Sequence, residues 1–233
     1  DGTDAAHKLV ILASLAFGLP LDAEAPVKQG IQAITPEDLE FAASMGYRVK
    51  HLGIARRQGD RVEMRVHPTL IPEQKQLANV DGVLNAIMIK GDAVGELVLV
   101  GPGAGGAATA SAVCADLADI ARTVAGSGPA LGVPMGQLKS QVLVPADDIE
   151  SEGYVRLAAS DCAGGMSDIT QVLANHDVSI ESLLQNPPRE DQATVSIVLL
   201  THVASASVMT AVMQEITTLT EVETDFTLLR VEA

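Results

Sequence analysis

At 233 residues, 47% of them hydrophobic, the chain is too apolar to be disordered and long enough for one large or two small domains. A net charge of −15 argues against nucleic acid or an anionic membrane as a partner. Aromatic residues make up only 2% and tryptophan is absent, so any core must be built from Val, Ile, Leu, Ala and Met.

The chain opens on Asp1-Gly2-Thr3-Asp4-Ala5-Ala6-His7-Lys8 and runs straight into an apolar stretch that lasts to Phe17. This predicts a helix from about Thr3 to Phe17, stopped by Gly18 with Pro20 beyond it. Asp4 and Lys8, four residues apart, project from one face a turn apart. As a surface ion pair they would contribute about 0.3–0.5 kcal/mol. The apolar company predicts instead a helix buried on most sides. A lysine rooted there must find a carboxylate, a substrate or a water-filled cleft. Its pKa is then readily moved, which acid–base work requires. Leu9–Phe17 is too short to span a bilayer, which takes about 20 residues, and has no basic leader.

Leu19–Gln32 reads as a connection. Thr35-Pro36-Glu37-Asp38 is a helix start, with Thr as N-cap, Pro at N1 and acids in the first turn; Gly46 ends that helix. Tyr47–Arg56 and Arg61–Leu70 read as strands around the turn Gln58-Gly59-Asp60. Asp81–Lys90 and Glu96–Gly101 form a second pair across Gly91-Asp92, and their nearly continuous apolar run predicts burial on both faces. Together these give an α+β layer, a mixed sheet with helices on one face. His67, before Pro68, is a candidate ligand or base, although such a histidine is more often a structural turn residue. Gly101-Pro102-Gly103-Ala104-Gly105-Gly106 satisfies G-x-G-x-x-G but lacks the acid-tipped strand about 20 residues on, so it is no dinucleotide fold. It still predicts a strand-to-helix turn whose backbone N–H groups can meet a ligand, followed by a helix over about 107–125. Cys114 and Cys162 form no metal spacing and read as buried or idle thiols in a reducing compartment.

Gly2-x-Asp4-x-x-x-Lys8 resembles the end of the homoserine dehydrogenase signature, and the likeness runs through the Gly-Pro-Gly-Ala-Gly-Gly-x-x-Thr-Ala segment. The resemblance implies a reversible hydride transfer between homoserine and aspartate semialdehyde with NAD or NADP, in threonine, methionine and isoleucine biosynthesis. It implies that Lys8 is catalytic and moves the proton at the reacting oxygen. Asp4 binds substrate or orients Lys8. Gly105 and Gly103 touch cofactor, and Thr109 and Ser111 close their helix against a further domain. It also implies that a nucleotide-binding domain precedes this chain, carrying most of the cofactor contacts, a second lysine and a further acid. The chain alone is therefore expected to be inactive. A cytoplasmic homodimer or homotetramer is expected, with no nucleic acid, membrane or metal partner.

Gly126–Glu152 reads as a linker in which Val142–Val144 can add a short strand. From Tyr154 the order strand, helix, strand, strand, helix, strand predicts a βαββαβ ferredoxin-like unit of about 80 residues. With Ser160-Asp161-Cys162-Ala163-Gly164-Gly165-Met166 it resembles the ACT domain, an amino-acid-sensing module. The expected division is a substrate and dimerisation domain at 1–130, a linker at 131–152 and the ACT domain at 153–233. A threonine effector would place its carboxylate on backbone N–H groups at Gly165 and Met166. Asp161 would meet its ammonium, and Asn175 would reach it across a paired module. The plainer roles are Asp161 as N-cap and Asn175 as a helix C-terminal residue. The alternative reading is a stand-alone amino-acid-binding regulatory protein built on this module.

Overall fold

The computed structural model describes residues 1–123, 137–139, 141–160, 162, 164–185 and 194–232. In chain order its elements are α1 (Thr3–Phe17), β1 (Val27–Lys28), α2 (Pro36–Ser44), β2 (Tyr47–Gln58), β3 (Arg61–Pro72), β4 (Leu84–Gly91), β5 (Gly95–Pro102), α3 (Gly106–Thr123), β6 (Val142–Leu143), β7 (Glu150–Ser160), α4 (Gly165–Asn175), β8 (Ile180–Gln185), β9 (Thr194–Ser205), α5 (Ala206–Ile216) and β10 (Val222–Val231). They divide into two compact units. One comprises Asp1–Val10, Asp22–Pro72 and Gln141–Ala233, the other Ile11–Leu21 and Glu73–Ser140.

The first unit is built on β3. β2 pairs antiparallel along its full length, from Tyr47↔Pro72 to Gln58↔Arg61. That leaves one edge of β3 free, and three segments share it in parallel: β6 at Arg61 and Val62, β1 at Arg65 and Val66, β10 at Thr69 and Leu70. Beyond β10 the order is β7-β9-β8, all antiparallel. Strands β10-β7-β9-β8 with α4 and α5 are the expected βαββαβ unit. Its edge strand does not stop the sheet, because Arg230 and Val231 carry the ladder on into β3. An edge strand otherwise presents unpaired N–H and C=O groups. The sequence reading joins the two early hairpins in one layer. In the structure the β2–β3 hairpin joins the C-terminal sheet, while β4–β5 makes a separate two-stranded sheet.

The two faces of the C-terminal sheet follow from strand alternation. Odd-numbered Val155, Leu157, Ile197 and Leu199 pack with Ile169 and Leu173 of α4 and Val212 and Ile216 of α5. Even-numbered Tyr154, Val198 and Leu200 pack with Phe41 and Ala42 of α2 and with Leu70. The helix α2 is fixed at its start by a capping box. The Thr35 side chain accepts from the Asp38 N–H, and Asp38 accepts from the Thr35 N–H.

In the second unit the expected burial of β4 and β5 on both faces does not occur within this chain. Ile89, Leu99 and Val100 are exposed, Leu99 by 61%. A two-stranded sheet has too few neighbours in this chain to bury both of its faces. On α3, Val113, Leu117 and Ile120 are exposed at spacings of four and three, one continuous helical stripe. Cys114 and Cys162 are free and exposed, not buried. Among the described residues no helix is long and apolar enough to cross a membrane.

Candidate active site and ligand sites

Helix α1 starts where the sequence places it, and the glycine before it has a physical reason. Gly2 has φ +90°, and a Cβ there would lie 3.2 Å from Val66 Cγ1 and 3.4 Å from His51 Cε1. Only glycine lets the chain turn into α1 this close to β2 and β3. Ala6, Leu9, Val10, Ala13 and Ser14 are buried, the single stripe of a one-sided amphipathic helix. Ile11, Leu12 and Leu15 are exposed, so the expectation of a helix buried on most sides is corrected. Residues that looked like core by composition lie on a face that this chain leaves open.

Asp4 and Lys8 lie on that open side. Lys8 Nζ donates to Asp4 Oδ2 at 2.6 Å, with the two side chains 64% and 83% exposed. In water such a pair contributes little to stability, about 0.2–1 kcal/mol. It does hold an ammonium donor and a carboxylate acceptor one turn apart near a helix N-terminus, both open to solvent.

The glycine-rich turn lies in the second unit, between β5 and α3. Gly103 is explained by packing: a Cβ there would fall 1.6 Å from Asn85 Nδ2, and its N–H donates to Val83 O at 3.0 Å. Gly105 is different. It adopts φ +118° with open space where a side chain would be, and its carbonyl accepts the Thr109 N–H that begins α3. The N–H groups of the first helical turn have no intrahelical acceptors and suit an anionic or polar ligand group. Thr109 and Ser111 are exposed.

At the start of α4 the N-cap is Gly164, at φ +105°, with Gly165 buried behind it. A Cβ on Gly165 would come within 3.4 Å of Cys162 Sγ. Asp161 lies outside the described residues, as do 124–136, where the end of the expected helix and the start of the expected linker fall, and 186–193. Asn175 ends α4 and accepts from Gln171 Nε2 at 2.9 Å. Gly165 and Asn175 therefore stand about 15 Å apart along the axis, and one copy of α4 does not bring them together.

His67 sits within β3, not in a turn. It is only 2% exposed, and burial, with the positive charges of Arg65 and Arg230, pushes its pKa down to about 3. Nδ1 lies 3.1 Å from the Pro68 carbonyl, which can only accept, so Nδ1 carries the proton and the unpartnered Nε2 is a bare acceptor. It is a neutral structural histidine.

Two polar groups escaped the sequence reading. The first is centred on Asp38, fully buried, whose oxygens accept from Tyr154 Oη (3.1 Å), Arg156 Nε (2.6 Å) and Thr227 Oγ1 (3.3 Å). Burial by itself would raise its pKa, but the hydrogen bonds from Arg156 and Thr35 outweigh that and hold it below the usual carboxylate value. The second lies on the polar alternation of β3. Arg65 Nε is 2.5 Å from Glu63 Oε1, and Glu232 bridges Arg65 and Arg56. Alternating polar residues in a strand ordinarily mark a solvent face. Here Glu63, Arg65, His67 and Thr69 are all buried.

Comparison with known proteins decides the family. The profile described as homoserine dehydrogenase matches residues 1–118, and the ACT domain profile matches 154–221. The chain belongs to the homoserine dehydrogenase family. It is 43% identical over its whole length to homoserine dehydrogenase of Neisseria gonorrhoeae, covering 54% of that protein. The Pseudomonas aeruginosa homoserine dehydrogenase is 42% identical over 87% of the chain and 48% of the relative. A solved homoserine dehydrogenase from Thiobacillus denitrificans superposes with a TM-score of 0.91 at 42% identity, over all of this chain and 53% of that one. The chain thus spans about half the length of the relatives it matches. The α+β fold with its ACT domain is that of the family.

Proposed function

We propose that this chain forms the substrate and regulatory part of a homoserine dehydrogenase, an oxidoreductase that interconverts homoserine and aspartate semialdehyde. The observation that carries the reading is the Asp4–Lys8 pair, joined at 2.6 Å and open to solvent on a helix whose other face is buried. A nicotinamide cofactor, NAD or NADP, would supply the hydride chemistry at the substrate carbon when bound. In the reducing direction the Lys8 ammonium gives its proton to the carbonyl oxygen and is left as a neutral amine. In the oxidising direction the amine takes the proton back from the hydroxyl. Asp4 orients Lys8 and receives the substrate's polar groups. Gly105 fits a cofactor contact, since its backbone is open and no Cβ intervenes; Gly103, closed by Asn85, adds only turn geometry. We infer that the cofactor is otherwise held by the half of the relatives that this chain does not cover. The chain alone is expected to give no turnover.

The exposed apolar surface of β4, β5 and α3 supports a homo-oligomer in which a second copy covers it. For the ACT module, threonine as the effector is supported by the glycine-started helix α4. The distance between Gly165 and Asn175 favours a site shared by two modules. A cytoplasmic setting fits this biosynthetic role. The test is Lys8→Met in the protein that carries this chain together with its cofactor-binding part. The rate of homoserine oxidation should fall at least about a hundredfold, as for loss of a general acid–base group, with the unfolding midpoint unchanged. A fall of less than about threefold would remove Lys8 from the chemistry.

A further inference from the structure

The sheet of the first unit has a seam. β1 and β10 share one edge of β3, pairing at Arg65–Val66 and at Thr69–Leu70, and Pro68 between them has no N–H to offer. A cavity of about 260 Å³ opens there, lined among others by Ile34, Pro68, Met209, Thr210, Phe226 and Arg230. Its walls are mostly apolar, and Arg230 brings the positive charge.

Arg230 differs from the buried arginines. Arg65 and Arg156 each meet a carboxylate. Among the described residues no carboxylate lies within ion-pairing distance of Arg230, whose side chain donates a long hydrogen bond to Ser151 Oγ at 3.4 Å. Burial, and then the neighbouring Arg65, make its charge harder to hold, and the more distant charges of Glu63 and Glu232 offset this only in part. A guanidinium offers five N–H donors in a fork that matches a carboxylate. Water takes about 30 Å³ in the liquid, so the cavity has room for roughly eight or nine atoms of that size.

We propose that this seam cavity is a binding site for a small organic carboxylate, of the size of an amino or hydroxy acid of about four carbons. The Arg230 guanidinium grips the carboxylate, and Met209, Phe226 and Ile34 receive the short tail. The site is separate from the start of α4 and does not rest on the enzymatic reading. A ligand here would touch β10 and the segment leading into α2 together.

Calorimetric titration of the full chain with butyrate, L-threonine, inorganic phosphate and 1-butanol tests it. Butyrate or threonine should bind saturably, one per chain, while butanol does not bind. Arg230→Gln should weaken that binding at least tenfold. Thr210→Phe, which adds bulk to the exposed part of the cavity lining and leaves Arg230 in place, should do the same with the circular dichroism spectrum unchanged. Absence of saturable carboxylate binding to the folded chain overturns the proposal, as does binding of phosphate alone. Threonine binding that survives both substitutions but is lost in Gly165→Val also overturns it, and assigns the ligand to α4. Loss in Arg230→Gln and Thr210→Phe with retention in Gly165→Val supports the seam site and counts against the α4 site.

Discussion

Asp38→Ala should be among the most damaging single substitutions in the chain. Both oxygens of this buried carboxylate are occupied. Oδ1 accepts from Tyr154 and from Arg156 Nε; Oδ2 accepts from Thr35 N at 2.9 Å, Thr35 Oγ1 at 2.8 Å, and from Arg156 Nη2 and Thr227 at 3.3 Å. Losing the reciprocal cap of α2 costs about 1 kcal/mol. Leaving one member of a buried ion pair alone costs about 3–5 kcal/mol. Arg156 keeps Thr227 at 2.8 Å and has Glu37 at 3.7 Å, which places the sum near its low end, at about 4 kcal/mol. Set against a typical stability of about 5–15 kcal/mol, that is a large fraction. Urea unfolding of the two proteins at pH 7 measures it. The double variant Asp38→Ala with Arg156→Met should recover much of the loss, because no buried charge is then left unpaired. A loss below about 1 kcal/mol for Asp38→Ala, or no recovery in the double variant, would refute the claim that this hub docks α2 onto the sheet.

The linkage has a sign that can be checked. Asp38 has a depressed folded pKa, so its contribution is present above its ordinary value of 3.8 and is lost as the pH falls through the lower folded value. For His67 the folded pKa, about 3, also lies below the ordinary 6.5, but the group is a base kept neutral by burial. The unfolded chain takes up that proton first, so stability declines as the pH falls from about 6.5 towards 3, by up to about 1.4 kcal/mol per pH unit. His67→Gln should flatten the slope of unfolding free energy between pH 6 and 4.5 by about one proton; an unchanged slope would mean that the histidine titrates normally. The exposed hairpin predicts that Leu99→Asp weakens self-association of the chain at least tenfold in sedimentation equilibrium, while an unaffected association constant would place the interface elsewhere.

Much of the fold was legible in the sequence because local signals were strong. The span of α1, the Thr35 cap, the turn at Gly59 and the last strand from Val222 to Val231 all follow from capping, glycine and alternation. The ladder from β10 into β3 was not legible, because two residue pairs 161 positions apart leave no periodic trace. The buried charges were hidden for a related reason. Alternation in β3 puts Glu63, Arg65, His67 and Thr69 on one face but does not say that this face is buried; that depends on tertiary pairing with Glu232 and its neighbours. Asp38 was visible as a first-turn acid, but its second task, meeting Arg156 and Tyr154, has no local signature. Of the candidate site, the Asp4–Lys8 geometry was readable from spacing alone. Its openness was not, since composition cannot tell an apolar face that is buried within the chain from one that awaits a partner.

The most direct test of the whole account is catalysis by the protein that carries this chain with its cofactor-binding part. Supplied with homoserine and NAD or NADP, it should form reduced nicotinamide, with serine in place of homoserine giving at most a small fraction of that rate. No homoserine-dependent reduction of either cofactor by the folded protein would contradict the assignment of this chain to homoserine oxidation.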